Sequence, residues 1–310
     1  MSKTVKLRVG TDCSGIEAPI FALKNLKVPF HHVWSCEYDK FARLSIAANH
    51  IPDQMYEDIT TRDHSKLPEV DIYVCGFPCQ PFSSIGKHGG MKDTNGRIMF
   101  HCIEVIRLKQ PKIFILENVS NFKIIHDGKP FESLMKSLNK QGNYNIYVDT
   151  YNTLDYGIPQ HRKRIYVVGI KKSAEKEPFK TPLKRQMAPI ERFYLDRTMH
   201  NTTISDREKR CLKHYNGLDF DKLPRDAIVN RNRFLSVTYG HVGTCTTNQP
   251  CFIIKYKRYA TPQEYLLLQG FPKTFKCVVS NTQLMKQAGN AMSVNVVQAI
   301  LAAALRSTSG

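Results

Sequence analysis

Cys79 lies between Pro78 and Gln80 in "VCGFPCQPFSSIGKHGG" (74–90), where an apolar run ends at Cys75 and a loop containing Gly86, Gly89, Gly90 and then Gly96 begins. Four chemistries are open to such a residue: nucleophile, metal ligand, half of a disulfide, or a small apolar side chain at a strand end. The chain has no Cys-x-x-Cys, and no His or Cys pair stands at zinc-finger spacing from Cys75 or Cys79, which argues against a metal. A second reactive residue, Glu117, stands at the end of the run "KIFILEN" (112–118). A thiolate and a carboxylic acid suit attack on an electron-poor ring. Sulfur adds to one carbon, the acid holds the ring nitrogen, and the neighbouring carbon becomes nucleophilic enough to accept a methyl group. The competing reading of Cys79 is an inert buried thiol, the fate expected for Cys75. Cys79 differs in following a proline at a strand end and leading a Gly-rich loop of lid type.

A second constellation precedes it. The turn "DCSGIEAP" (12–19) contains Gly15, and the next apolar run ends at Glu37 and Tyr38. A glycine turn from strand to helix lets a ligand approach the backbone, and an acid at the next strand end accepts bonds from ribose hydroxyls. One glycine without G-x-G-x-x-G disfavours a dinucleotide. A nucleoside lacking a pyrophosphate fits better, and S-adenosylmethionine is the common one. The alternative for Glu37 is a solvated strand-end acid.

These residues need elements to hold them. Strands are expected at 5–11, 31–37, 70–76, 112–118, 144–152 and 164–170, with a weak one at 55–59. Helical patterns cover 17–26, 38–49, 96–109 and 130–140. Continuous apolar strands alternating with helices predict an α/β fold, a doubly wound, mostly parallel sheet covered on both faces. Ligands bind such a sheet outside the carboxyl ends of its strands, where 12–19, Glu37, Pro78-Cys79-Gln80 and Glu117-Asn118-Val119 would meet. The pattern fails after "KKSAEKEPFKTPLKRQ" (171–186), so the expected division is a catalytic and cofactor-binding domain over 1–172, a small, irregular, basic domain over 173–255, and helices over 256–310 returning to the first. Thr261, Pro262 and Glu264 predict a capped helix start, and 293–305 a buried helix.

Among 310 residues, 45 Lys and Arg against 27 Asp and Glu leave a formal charge of +18, which favours a polyanionic partner. No apolar run approaches ~20 residues, and "MSKTVKLRVG" lacks the features of a secretory signal. The expectation is a protein that is not secreted and has no membrane partner, with its thiols reduced rather than paired.

The segments "GFPCQPFSSIGK" (76–87), "ENV" (117–119), "QHRKRIYVVG" (160–169), "TPQEYLLLQGFP" (261–272) and "QAGNAMSVNV" (287–296) closely resemble, in order, the motifs of the cytosine-C5 DNA methyltransferases. The resemblance implies a Rossmann-like class I methyltransferase fold that transfers a methyl group from S-adenosylmethionine to C5 of cytosine in double-stranded DNA, leaving S-adenosylhomocysteine, with no metal. It implies that Cys79 attacks C6, Glu117 contacts N3 and the amino group, and Arg162 and Arg164 help hold the activated base. Cofactor contacts would come from Cys13, Ser14, Gly15, Ile16, Glu37, Tyr38, Asp58, Ile59, Gly76, Pro78, Asn290 and Ala291. DNA contacts would come from Gln80, Ser83, Ser84, Ile85, Gly86, Lys87 and Gln160, with Thr246 or Thr247 near the flipped nucleotide. Segment 173–255 would be the target recognition domain, short enough to imply a short site.

The family's first motif usually contains Phe-x-Gly-x-Gly, whereas here Cys13 replaces the aromatic and Glu17 stands where a second glycine is common. A tRNA-methylating branch of the same fold tends to show Pro-Pro-Cys-Gln and Cys-Phe-Thr. Phe77 before Pro78 and "CFI" (251–253) favour DNA. A catalytically silent DNA-binding homologue is the other alternative, opposed by the joint presence of Cys79, Glu117, Arg162, Arg164 and Asn290. The enzyme is expected to be a free-standing monomer without an obligate protein partner, in a restriction-modification pair or an orphan. It would work in the cytoplasm or nucleoid of a prokaryotic or viral host, or in the nucleus of a eukaryote.

Overall fold

The computed structural model describes residues 6–78, 98–232 and 234–309. Packing divides the chain into two units: 1–151 with 163–183 and 296–310, and 152–162 with 184–295. This differs from the boundaries expected from composition, because residues 256–295 pack in the second unit and only the last stretch, 296–310, belongs with the first.

The first unit alternates strand and helix as the apolar runs predict: β1 (Leu7–Asp12), α1 (Ala18–Asn25), β2 (Phe30–Cys36), α2 (Lys40–Asn49), β3 (Gln54–Tyr56), β4 (Ile72–Cys75), α3 (Ile98–Lys109), β5 (Ile113–Val119), α4 (Lys129–Lys140), β6 (Tyr144–Asn152) and β7 (Lys163–Lys171). The sheet order is β3-β2-β1-β4-β5-β7-β6. Strands β3, β2, β1, β4 and β5 pair in parallel, and β7 pairs antiparallel with β5. Strand β4, "IYVC", is buried along its whole length, as a central strand covered on both faces must be. The chain reverses between β1 and β4, so this edge contains the switch point at which such sheets bind ligands. Asp39, two residues after Glu37, caps α2 by accepting from the amides of Phe41 and Ala42.

In the second unit the expectation of an irregular domain needs correction. It contains α5 (Asp206–Asn216), β8 (Ala227–Asn230), β9 (Ser236–Tyr239), β10 (Phe252–Ile253) and β11 (Arg258–Tyr259), the strands forming an antiparallel sheet ordered β11-β10-β8-β9. Its short strands give too little periodicity to read, but α5 is marked by a capping box between Ser205 and Glu208. The predicted box at Thr261 and Glu264 starts α6 (Pro262–Leu268). Glu264, fully buried, also forms a bidentate pair with Arg258 at 2.7 and 2.9 Å. Helix α7 (Asn281–Asn290) follows, and α8 (Val294–Ser309) leads from the second unit back into the first.

Candidate active site

Strand order decides which residues share an edge. Neighbouring strands β2, β1, β4 and β5 end at Cys36, Asp12, Cys75 and Val119, so Glu37, the 13–17 turn, Gly76–Pro78 and Glu117 line the carboxyl edge of one sheet. The approach to Cys79 is fixed from β5, where Asn118 Nδ2 donates to the Phe77 carbonyl at 3.0 Å. Cys79, Gln80, Ser83, Ser84, Ile85, Gly86 and Lys87 lie outside the described residues.

The glycine turn has the form a ligand needs. Gly15 has φ 57°, a left-handed value that favours glycine, and a Cβ built there would meet no atom of the described residues within 4 Å. The Gly15 amide donates to Glu37 Oε2 at 2.7 Å and the Asp39 amide to Oε1 at 2.9 Å, so Glu37 is held at the turn. Burial pushes the Glu37 carboxyl above its ordinary value while those two N–H groups pull it down. Tyr38 is 80% exposed and offers its ring to solvent. Arg43 fixes its backbone by donating to the Glu37 and Tyr38 carbonyls at 2.9 and 2.8 Å. An open glycine turn beside an anchored acid and an exposed aromatic fits an adenosine cofactor.

The remaining predicted cofactor residues have other surroundings. Ser14 is buried and its hydroxyl is used internally, donating to Thr11 Oγ1 at 3.0 Å. Ile16 and Ile59 are buried apolar residues, and Ile59 belongs to the main core. Asp58 closes a turn by accepting from the amide and hydroxyl of Thr60, both at 2.8 Å. Cys13 is half-buried with its thiol against Cys75, whose Sγ lies 3.2 Å from that of Cys102. Cys75 is the packing cysteine the sequence predicts, its thiol pushed well up by burial.

Glu117 and Arg164 meet across the β5–β7 pair, where Val119 stands opposite Arg164. Arg164 Nε lies 3.3 Å from Glu117 Oε1, and both side chains are largely buried. Arg162 and Gln160 are in the second unit, where both are buried and hydrogen-bonded. Arg162, 3% exposed, donates to the carbonyls of Cys245, Gly289 and Ala291 at 3.3, 3.2 and 2.8 Å. Gln160, fully buried, donates to the Leu268 carbonyl at 2.7 Å and accepts from the Cys245 amide at 2.9 Å. Together they fasten the segment preceding Thr246 and Thr247, both half-buried, to α6 and to the end of α7. Asn290 is exposed at that helix end and Ala291 is buried.

Two buried acids, Asp12 at the end of β1 and Glu17 at the start of α1, have surroundings that the sequence did not reveal. Asp12 is fully buried, held by both terminal nitrogens of Arg62, by Tyr73 Oη at 2.7 Å and by Trp34 Nε1 at 3.2 Å. Arg62 sits in an ordinary polar run, so nothing local marks it. Glu17 is fully buried in a left-handed conformation, φ 65°. Its only signal is that it occupies a position where glycine is common in the motif.

Comparison with known proteins agrees with this geometry. The family model for C-5 cytosine-specific DNA methylase matches residues 12–306. The type II methyltransferase M.HaeII of Haemophilus aegyptius is 33% identical over 309 residues, covering 98% of this chain and 93% of that protein. M.NgoBI of Neisseria gonorrhoeae, also a type II methyltransferase, is 34% identical over 278 residues, covering 86% and 84%. The crystal structure of the S. pombe Dnmt2 methyltransferase shares the fold, with a TM-score of 0.73, 18% identity and coverage of 97% and 99%. With a family match spanning nearly its whole length and relatives 33–34% identical, this chain belongs to the C-5 cytosine-specific DNA methylases, S-adenosylmethionine-dependent enzymes that methylate cytosine in DNA.

Proposed function

We propose that the chain methylates C5 of a cytosine flipped out of duplex DNA at a short specific site, with Cys79 as nucleophile and S-adenosylmethionine bound at the Gly15 turn. One observation supports this reading most: Glu37, the open Gly15 turn, the Gly76–Pro78 approach to Cys79 and the Glu117–Arg164 pair lie along one sheet edge. A stacked base hides its ring carbons, so the cytosine must leave the helix. S-adenosylmethionine supplies the methyl group as a sulfonium. Cys79 adds to C6, and its electron pair passes through the ring to make C5 nucleophilic. Glu117 contacts N3 and the amino group, in an orientation held by Arg164. After transfer, C5 loses its proton and the sulfur leaves C6, restoring the ring.

In this reading Arg162 and Gln160 act through the loop they fasten. They keep Thr246 and Thr247 in place for the nucleotide and hold the 289–291 corner that contains Asn290 and Ala291. The +18 charge supplies phosphate contacts, so binding should weaken steeply with salt. The chain acts as a monomer without a metal, in the compartment that contains its host's DNA.

The test is a duplex bearing 5-fluorocytosine at the methylated position. Fluorine cannot leave as a proton does, so a covalent adduct should accumulate with wild type and be absent with Cys79→Ser. Methylation of ordinary cytosine without any trapped adduct would refute the nucleophile assignment. Preferential labelling of tRNA over DNA would refute the substrate.

A further inference from the structure

The corner that follows β2 is held by a residue that the motifs do not mark. Arg43 lies near the start of α2, and its guanidinium reaches back to the end of the preceding strand. Nη1 donates to two successive carbonyls, that of Glu37 at 2.9 Å and that of Tyr38 at 2.8 Å. Nη2 lies 3.0 Å from Glu57 Oε1, just beyond the end of β3. One side chain therefore joins residues 37 and 38 to residue 57.

The two segments are neighbours by backbone up to this point. Strands β2 and β3 pair in parallel with Cys36 opposite Tyr56, and the Glu37 amide donates to the Tyr56 carbonyl at 3.0 Å. Both strands end there, so ladder hydrogen bonds no longer set the direction of either chain. Arg43 bridges the gap. Its side chain is 19% exposed, so water competes little for its N–H groups, whereas Glu57 is 74% exposed and forms the weaker limb.

These are the segments that the motif resemblance assigns to the adenosine half of the cofactor, with Glu37 and Tyr38 on one and Asp58 and Ile59 on the other. The Glu37 carboxylate is fixed by the amides of Gly15 and Asp39. The Tyr38 ring stands in solvent, so its place depends on the backbone beneath it, which Arg43 pins. We infer that Arg43 is a positioning residue that sets the adenosine pocket before the cofactor arrives, by holding the Glu37–Tyr38 corner against the 57–59 segment without touching the ligand. The inference rests on the cofactor reading above. A corner that must be ordered during binding subtracts that cost from the affinity of every ligand that uses it. All polar partners of the Arg43 side chain among the described residues lie in these two segments, so its loss should follow the adenosyl group.

The experiment measures dissociation constants of S-adenosylmethionine and S-adenosylhomocysteine by calorimetry, and of adenosine by competition, on wild type, Arg43→Met, Arg43→Lys and Glu57→Gln. Methionine keeps much of the aliphatic stem of arginine without its charge. In Arg43→Met all three ligands should weaken by one common factor of about tenfold, since charged donors to two carbonyls are lost. In methyl transfer the KM for S-adenosylmethionine should rise by a similar factor, with kcat at saturating cofactor and the KM for DNA within about twofold of wild type. Arg43→Lys, whose single nitrogen can serve the carbonyls but not Glu57 as well, should lose about threefold, again equally for all three ligands. Glu57→Gln should lose about twofold, because that ion pair is solvent-exposed. A lower melting temperature with unchanged affinities would show a role in folding alone and overturn the inference. A loss confined to S-adenosylmethionine with adenosine unaffected, or a fall in kcat at unchanged KM, would do the same. Wild-type affinities in Arg43→Lys would overturn it even if Arg43→Met failed to fold. Failure of wild type to bind any of the three ligands would overturn the cofactor reading as well.

Discussion

Replacing Arg62 by Met should show how far the cofactor edge depends on one buried ion pair. Arg62 is 5% exposed at its side chain and Asp12 is fully buried, so neither charge is screened by water. Removing the guanidinium leaves the Asp12 carboxylate, among the described residues, with Tyr73 Oη and Trp34 Nε1, both neutral donors. Breaking one side of a buried pair costs about 3–5 kcal/mol, because the remaining charge is uncompensated. Against a total stability of about 5–15 kcal/mol this is a large loss, and urea denaturation should show it as a lower midpoint at unchanged slope. The second variant is Asp12→Asn combined with Arg62→Met. It removes the charge that Arg62 balanced, so the penalty should shrink to about 1–2 kcal/mol, the cost of weakened hydrogen bonds. Arg62 also tethers the 57–62 loop to the end of β1, so the single variant should lose affinity for the cofactor even where it is folded. A loss below about 1.5 kcal/mol, or no recovery in the double variant, would refute the claim that the pair holds this edge together.

Two further outcomes follow from the same structure. Glu17 has its carboxyl raised from 4.5 to about 7, so its burial costs nothing while it is protonated in both states and becomes costly as pH climbs through that interval. At about 1.4 kcal/mol per pH unit, the interval of 7 minus 4.5 makes Glu17→Gln more stable than wild type by about 3 kcal/mol at pH 8, an advantage absent near pH 4.5; an equal difference at both would contradict this. Gly289→Ala would put a Cβ 2.6 Å from the backbone of Thr246 and Thr247, forcing α7 away and loosening the carbonyls that receive Arg162. A penalty of about 1–3 kcal/mol is expected, seen as a melting temperature lower by several degrees, and an unchanged melting temperature would show that the loop yields freely.

The alternation of strands and helices in the first unit was legible in the chain, because apolar runs separated by helical patterns recur along it. The sequence also narrowed the chemistry to be expected, since a thiol after proline, two strand-end acids and a lone glycine turn each restrict what can bind. The helix start at Thr261 was legible because a capping box is a local signal. What the sequence could not determine is what joins residues far apart in the chain. Arg62 reaches Asp12 across 50 positions, and Arg162 reaches Ala291 across 129, with no pattern near either arginine to announce a partner. The motif implied a role for Arg162 at the activated base, and nothing in it announced that the guanidinium also reaches three carbonyls of the second unit. The short strands β8 to β11 were not read from the chain, because no strand–helix alternation surrounds them and their pairing with one another defines them. Glu17 lies between these cases. Its departure from glycine was visible in the chain, but its meaning required burial, which brings Thr11, Ser35 and His32 around one carboxyl and makes its charge costly. Local order follows from neighbours in sequence. Electrostatic character follows from exclusion of water, and that belongs only to the folded chain.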